Sequence, residues 1–174
     1  MNKSNGFVGV RQATISDAEA IARIWIAGVP DAFGAVAPSD VNALGFFTQK
    51  LASQDIAFQY WIAYQRNAVM GWCSLQPCRN NPLTRRKMGE LSVYVCPEHS
   101  NNGVARMLIE RLIEHASSVG ITYIVGYARL GNYRILHLLH SMGWVSVGTL
   151  PMRMDSPDEP LVYLGRVITS ERRK

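Results

Sequence analysis

The chain has 174 residues, of which 48% are hydrophobic, and its formal net charge at pH 7 is +5. This length and composition predict one soluble globular domain over residues 1–174, with enough apolar residues to fill a core. No apolar run approaches the roughly 18 residues that a membrane helix requires, and no apolar signal segment follows the polar start. We therefore expect no membrane partner and a cytoplasmic location.

The basic residues, cysteines and histidines do not form patterns typical of nucleic-acid or metal binding. The basic clusters at residues 85–87 and 172–174 are short and suggest a solvated loop and a frayed tail. The three cysteines include no CxxC pair, and the four histidines lack the spacing of a zinc site. We expect no nucleic-acid partner and no bound metal.

Hydrophobic periodicity divides the chain into elements in the order β α α β β β α β α β β. In chain order we expect a strand at 7–12, helices at 17–27 and 39–52, strands at 58–63, 69–75 and 90–96, a helix at 103–119, a strand at 121–128, a helix at 132–142, and strands at 144–147 and 161–168. The strand, helix and strand between residues 90 and 128 imply one parallel pair. The predicted fold class is α/β with a mixed sheet, mostly antiparallel around one central parallel pair and flanked by helices.

Two of the helices carry more detailed predictions. Ser16 and Glu19 have the spacing of a capping box at the start of the first helix. The second helix is expected to bury one face, formed by Val41, Leu44, Thr48 and Leu51.

Residues 96–105 join a strand to a strongly periodic helix, and the N-terminus of that helix is a candidate anion site. A helix N-terminus presents unpaired amides and a partial positive charge. Gly103 and Ala105 would let a diphosphate approach the backbone closely. Capping by the side chains of residues 100–102 would instead make this an ordinary helix start. The spacing alone leaves both interpretations open.

A set of motifs extends in order over nearly the whole chain. Residues 90–105, ELSVYVCPEHSNNGVA, combine an E-x-S-V-Y-V strand, a proline two residues beyond it and Gly-x-Ala at a helix start. The other motifs are Gly71-Trp72, Pro77 and Arg79 upstream, and downstream a helix from Asn132 that ends at Met142-Gly143-Trp144. Together they resemble the GNAT N-acetyltransferases, and within them the phosphinothricin and methionine sulfoximine acetyltransferase-like branch.

The resemblance implies a GNAT-like acyl-CoA N-acyltransferase fold and a chain that uses acetyl-CoA as co-substrate and no metal. It implies that Glu90 is the general base, directly or through a water, and that Arg79 meets the carboxylate of the acceptor. The implied acetyl-CoA-binding residues are Val93, Tyr94, Val95, Ser100, Asn101, Asn102, Gly103, Val104, Ala105 and Asn132. The backbone of residues 93–95 would hold the pantetheine arm of acetyl-CoA. The amides of residues 100–105 would hold its diphosphate.

Three positions differ from the family pattern. Ser100 stands where the family has Gln or Arg, and Asn101 replaces a frequent Gly, which a turn conformation of Asn would permit. Leu139 occupies the place where many relatives have a Tyr or His near the thioester sulfur. His140 follows it but is turned away by about 100° along a helix, so we assign it no acid role.

The predicted function is transfer of an acetyl group to the primary amine of a small amino-acid-like acceptor of the phosphinothricin or methionine sulfoximine type, by direct attack on the thioester. Two alternatives remain, a peptide or protein N-acetyltransferase and a non-catalytic acyl-CoA sensor. The resemblance also implies a homodimer, with the final strands as a possible interface.

Several of these residues could instead have a purely structural role in the fold. Without the resemblance, the favoured interpretation of Glu90 is a strand-end carboxylate paired with Arg86 or Lys87, and the family motif reverses that preference. Four aromatic residues could line the mouth of the acceptor site or belong to the core: Trp25, Phe33, Phe46 and Phe47.

Overall fold

The computed structural model describes residues 8–34, 40–78, 81–84, 86–150 and 160–169. Its elements are β1 (Val8–Gln12), α1 (Ala18–Phe33), α2 (Ala43–Ala52), β2 (Tyr60–Gln65), β3 (Ala68–Pro77), β4 (Met88–Val95), α3 (Val104–Ser118), β5 (Tyr123–Arg129), α4 (Tyr133–Ser141), β6 (Val145–Leu150) and β7 (Leu161–Val167). The predicted order of strands and helices is confirmed. In this part of the chain, no helix combines the length and apolarity that a bilayer crossing requires.

The strands form one seven-stranded sheet in the order β1-β2-β3-β4-β5-β7-β6. Neighbouring strands are antiparallel except β4 and β5, which α3 connects and which pair in parallel. The predicted fold class is confirmed. The single parallel pair lies in the interior of the sheet, between the β1–β4 and β5–β7–β6 parts.

Alternating side chains of the sheet build two cores, one on each face. On the first face, α1 and α2 pack over β2 and β3, with Ile21, Phe47, Tyr60, Ile62 and Trp72 among the buried side chains. On the second face, α3 and α4 pack over the sheet, with Trp61, Leu75, Leu91, Leu108 and Leu139 among the buried side chains. The odd-numbered residues of β4 thus face α3, and the even-numbered ones face α1 and α2.

The capping box predicted at Ser16 and Glu19 is wrong. A short 3-10 turn over Ile15–Asp17 precedes α1. The Asp17 carboxylate accepts a hydrogen bond of 2.8 Å from the Thr14 amide and two of 2.8 Å from the Arg11 guanidinium. The capping box therefore lies two residues earlier than the sequence spacing suggested, between Thr14 and Asp17, and α1 begins after it at Ala18.

The apolar face predicted for α2 is confirmed at Leu51 and wrong at Val41, Leu44 and Thr48. The buried positions recur every fourth residue, at Ala43, Phe47 and Leu51. Leu44 is 50% exposed and Val41 is 40% exposed. Phe47 decides the orientation, because its ring lies against the aromatic residues of β2 and β3 and thereby turns Leu44 towards solvent.

Candidate active site

The parallel strands β4 and β5 separate after three residue pairs. Met88, Gly89 and Glu90 pair with residues 123–125, whereas β4 continues to Val95. Residues 91–95 therefore pair with β3 on one side and with no described strand on the other. Backbone amides and carbonyls require hydrogen-bond partners, so this wedge suits an extended ligand that runs beside β4 as a strand would.

The N-terminus of α3 carries no side-chain cap. Gly103 is the N-cap residue and makes no side-chain hydrogen bond. In α4, by contrast, the Asn132 side chain accepts a hydrogen bond of 3.4 Å from the Ile135 amide. The interpretation of α3 as an ordinary helix capped by residues 100–102 is therefore wrong. The amides of its first turn remain available to an anion.

Two residues before α3 adopt left-handed backbone conformations. Asn101 has φ 64° and Gly103 has φ 76°. Asn101 thus adopts the left-handed turn conformation expected at a position where the family frequently has Gly. A Cβ placed on Gly103 would meet no heavy atom within 4 Å. The glycine is therefore required by its φ, and the space over the helix N-terminus is wide enough for a ligand to reach the backbone.

A cavity of about 330 Å³ lies between the N-terminus of α3, the end of β4, α1 and α4. Nine of the ten residues predicted to bind acetyl-CoA line it: Val93, Tyr94, Val95, Ser100, Asn101, Gly103, Val104, Ala105 and Asn132. Asn102 is exposed and is not part of this lining. The fold thus brings residues from three elements around one space, and their role in binding stays a prediction.

Two arginines that the sequence motifs did not indicate also line this cavity. Arg106 lies in the first turn of α3 and Arg134 in the first turn of α4. Arg106 also donates a hydrogen bond of 2.9 Å to the Ser141 hydroxyl, which ties α3 to α4. Cations are unfavourable near helix N-termini unless an anion is bound there. A basic residue in the first turn of each helix was therefore a sequence signal that could have identified Arg106 and Arg134 as candidate anion-binding residues.

A narrow cleft of about 80 Å³ continues from this cavity between the separated strands. Leu139 lines the cleft and is 3% exposed. The position that resembles the Tyr or His of the family therefore faces the cleft, but with an aliphatic side chain. His140 is exposed, and its Nδ1 lies 3.1 Å from the Trp144 carbonyl oxygen.

A second large cavity, of about 520 Å³, lies on the face of the sheet that α1 and α2 cover. Side chains of β3 and β4 form the floor of this cavity. The antiparallel pairing of these strands places Glu90 opposite Gln76, and it places Ser92 opposite Ser74. The Tyr60 hydroxyl on β2 hydrogen-bonds with Ser74 and extends this polar row. The cavity therefore combines a carboxylate with several hydroxyl and amide groups.

The cleft and the second cavity share three lining residues, Ser92, Tyr94 and Tyr127. Tyr94 also lines the first cavity. Burial raises the pKa of Tyr94 to about 12, so its hydroxyl remains neutral near pH 7. The two cavities and the cleft are therefore adjacent, and Tyr94 borders all three of them.

Glu90 occupies the last paired position of β4, where the strands begin to separate. Burial raises the pKa of its carboxyl group above the ordinary value. In the described part of the chain no ion pair joins Glu90 to Arg86 or Lys87, so the alternative interpretation as a paired surface carboxylate has no support. Its charge contributes, after burial, to raising the pKa of Tyr127.

The aromatic residues singled out in the sequence divide between the two expected roles. Trp25, Phe46 and Phe47 all line the second cavity. Phe47 is also buried in the core, whereas Phe46 is 52% exposed at the rim. The side chain of Phe33 and the whole of Arg79 lie outside the described residues.

Comparison with known proteins identifies relatives of this chain. Residues 18–144 match the acetyltransferase (GNAT) family. L-amino acid N-acyltransferase MnaT of Escherichia coli is 32% identical over 90 residues, which are 52% of this chain and 52% of that protein. L-methionine sulfoximine/L-methionine sulfone acetyltransferase of Salmonella typhimurium is 29% identical over 100 residues, 58% of each chain. The chain thus matches little more than half the length of these curated relatives.

Solved structures show the same fold. The acetyltransferase yncA of Salmonella typhimurium, solved with its cofactor acetyl-CoA, has a TM-score of 0.82 at 23% identity and covers 95% of this chain and 96% of that one. The predicted resemblance to the GNAT N-acetyltransferases and their methionine sulfoximine acetyltransferase-like branch is confirmed by these matches.

Proposed function

Because the chain belongs to the GNAT acetyltransferase family, we propose that it is an acetyl-CoA-dependent N-acetyltransferase, formed by a single domain over residues 1–174. Its acceptor is the primary amine of a small amino-acid-like molecule of the phosphinothricin or methionine sulfoximine type. The observation that carries the proposal is the position of Glu90. It lines the second cavity at the last paired position of β4, two residues before Ser92, which lines both that cavity and the cleft.

Acetyl-CoA fits the first cavity and the cleft. The uncapped amides before and within the first turn of α3 would hold the diphosphate, with Arg106 and Arg134 adding positive charge. The backbone of residues 93–95 would hydrogen-bond with the pantetheine arm along the side of β4 that faces away from β3. When bound there, acetyl-CoA supplies an acetyl group activated as a thioester.

Glu90 would remove a proton from the acceptor amine, directly or through a water. Its raised pKa brings the basicity of the carboxylate closer to that of an amine. An α-amine with a pKa near 8 requires about 1.4 kcal/mol to deprotonate at pH 7, and a lysine-type amine near 10.4 requires about 4.6 kcal/mol. An α-amine is therefore the more accessible acceptor.

Leu139 leaves no acid at the position where many relatives have one, and the proposed reaction tolerates this. A leaving thiol with a pKa near 8.5 departs as a thiolate at moderate cost. The apolar Leu139 side chain would exclude water from the cleft instead.

The two alternative functions receive less support from the site. A sensor requires no carboxylate in an acceptor cavity, yet Glu90 lines the second cavity and is half-buried. A peptide or protein acceptor would present lysine amines as well as an N-terminal amine, and the lysine amines are harder to deprotonate.

We also propose a cytoplasmic homodimer in which the final strands form the interface. All six residues of β6 are exposed. Three of them are large and apolar, with exposed fractions of 58% for Val145, 54% for Val147 and 43% for Leu150. Apolar side chains concentrated on one edge strand are typical of an interaction surface.

Mass spectrometry of reaction products tests the function. Wild type, Glu90→Gln and a control, Glu114→Gln on the exposed face of α3, are incubated with acetyl-CoA and a panel of α-amino acids, methionine sulfoximine, phosphinothricin, polyamines and peptides. We expect an acetylated α-amino acid from wild type and the control, and at least a hundredfold slower formation by Glu90→Gln. Equal rates for all three proteins would contradict the role of Glu90, and failure to bind acetyl-CoA would contradict the proposal as a whole.

A further inference from the structure

We infer that Lys50 binds the carboxylate of the acceptor, and that the aromatic residues beside it select acceptors with an uncharged, apolar side chain. This inference rests on the proposed function and narrows its acceptor class. The favoured acceptors are α-amino acids with a single carboxylate, such as phenylalanine, methionine or methionine sulfone. Phosphinothricin, which carries a second anionic group, is disfavoured.

The first support is the pair of opposite charges in the second cavity. Among the described residues that line it, Lys50 is the one cation and Glu90 the one carboxylate. No ion pair joins them within the described chain. A zwitterionic α-amino acid carries the complementary charges, an ammonium for Glu90 and a carboxylate for Lys50, within one small molecule. The cavity thus presents both charges that complement the common part of a free α-amino acid.

The second support is the location of Lys50 on α2. It lies one turn after Phe46, and its Nζ is 5.5 Å from the centre of the Phe46 ring. This contact favours a position of the ammonium group beside the ring at the rim of the cavity. No carboxylate in the described residues pairs with Lys50. Its flexible stem and three donors therefore remain free to meet an incoming carboxylate.

The third support is the aromatic wall that continues from Phe46 into the cavity. Phe46 and Phe47 have ring centres 5.1 Å apart, and Phe47 and Trp72 have ring centres 5.3 Å apart. Trp72 in turn stacks on Tyr94 at 4.8 Å. Such a wall favours burial of an apolar or aromatic side chain. A second anion in these apolar surroundings would find no second described cation in the lining to pair with.

The test compares each amino acid with its amide, which lacks the anionic carboxylate. The ratio of kcat/KM for L-phenylalanine to kcat/KM for L-phenylalaninamide is measured for wild type, Lys50→Met, Lys50→Arg, Arg79→Met and a control, Gln49→Met, at the adjacent exposed position on α2. The two amines differ in intrinsic reactivity. That difference is the same for every variant and cancels when the ratios are compared.

We expect Lys50→Met to lower the acid-to-amide ratio about tenfold or more relative to wild type, the effect of losing one charge-assisted hydrogen bond. Lys50→Arg should restore part of the ratio, and Gln49→Met should leave it unchanged. Wild type should also prefer methionine sulfone to phosphinothricin. An unchanged ratio in Lys50→Met overturns the inference, as does a ratio that falls in Arg79→Met alone.

A binding measurement separates this inference from the proposed function. Calorimetric titration of the protein, saturated with CoA, with L-phenylalanine and L-phenylalaninamide reports carboxylate recognition without turnover. Tighter binding of the acid that is lost in Lys50→Met supports the role of Lys50 even if no product forms. Acetylation of amino acids with no binding difference between wild type and Lys50→Met supports the enzyme and overturns the inference.

Discussion

The rings of Trp72 and Tyr94 stack across β3 and β4, with centres 4.8 Å apart and planes inclined by 22°. Tyr94 lines all three spaces of the site, so this stack fixes the boundary between them. On its other side the Tyr94 ring meets α1 at Gly28, where an added Cβ would lie 2.7 Å from Cδ1 of the tyrosine. The position of Tyr94 therefore depends on the absence of a side chain at residue 28.

Replacement of Gly28 by Ala should push the Tyr94 ring from its stack and weaken acetyl-CoA binding. Overpacking of this kind costs about 1–3 kcal/mol, partly offset by up to about 1 kcal/mol of better helix propensity. Chemical denaturation and calorimetric binding of acetyl-CoA measure the two effects. In a Tyr94→Ala background the same change should become neutral or stabilising, and a cost that persists there would refute the proposed clash.

Replacement of Gly103 by Ala should weaken acetyl-CoA binding at least tenfold. The left-handed φ of 76° disfavours any side chain by roughly 1–2 kcal/mol, and the methyl group would stand between the ligand and the helix N-terminus. Isothermal titration with acetyl-CoA gives the affinity. Gly120→Ala is a matched control, because Gly120 has φ 77° and equally open surroundings beyond the other end of α3. Both variants should lose similar stability, and equal losses of affinity would contradict the site.

The pH dependence of turnover should report the carboxyl group of Glu90. Burial raises its pKa above the ordinary value of 4.5, so the general base is protonated over a wider acidic range. The kcat/KM profile should therefore rise with pH through an apparent pKa above 4.5, and this limb should be missing from the residual activity of Glu90→Gln. An identical limb in the variant would assign the titration to another group.

The same shift has the opposite consequence for stability. A carboxyl group whose pKa is raised on folding stabilises the native state below its unfolded value, and this contribution is lost as the pH rises through the folded value. We therefore expect Glu90→Gln to unfold at a higher denaturant concentration than wild type at pH 7. Gain of stability with loss of activity would be typical of a functional carboxylate.

Asp17 should stabilise the fold at neutral pH and lose this effect in acid, which is the opposite of the pH dependence expected for Glu90. Burial alone would raise its pKa, but hydrogen bonds from Arg11 and Thr14 outweigh burial and lower it. The contribution of Asp17 is therefore present above the unfolded value of about 3.9 and is lost as the pH falls through the lower folded value. Asp17→Asn should reduce the free energy of unfolding at pH 7 by about 1–2 kcal/mol, since partial exposure of Arg11 screens the pair.

Urea titrations at pH 7 and pH 3 check this prediction, with the exposed Glu19→Gln on α1 as control. The difference between wild type and Asp17→Asn should shrink at the lower pH. A difference that is independent of pH would indicate that Asp17 acts through packing and not through its charge.

Sequence patterns predicted the order of the elements well because their physical signals are local. Alternation and β-branched residues mark β4, and a sustained apolar period followed by Gly120 marks α3. The motif residues of β4 and α3 could be predicted to share one site because together they resemble a continuous family motif. The raised pKa of Glu90, in contrast, depends on burial by elements distant in sequence.

The errors have a common cause in tertiary contacts. The buried face of α2 depends on where Phe47 meets Trp72, and the period of α2 alone does not contain this information. The second cavity was missed for the same reason, because it is assembled from α2, β2, β3 and β4. Ser92, in contrast, is a residue of this cavity that the sequence pattern could have placed beside Glu90. It is two residues from Glu90 on one strand, so alternation alone could have assigned it to the same face.

The short β4–β5 pairing means that the sheet consists of two halves joined through three residue pairs. Under the proposed function, acetyl-CoA would act as a strand between these halves, and the native protein would be partly held together by its own co-substrate. At a concentration 100 times its Kd, such a ligand adds about 2.7 kcal/mol to the free energy of unfolding. The lifetime of the folded protein in a cell would then rise and fall with the supply of acetyl-CoA.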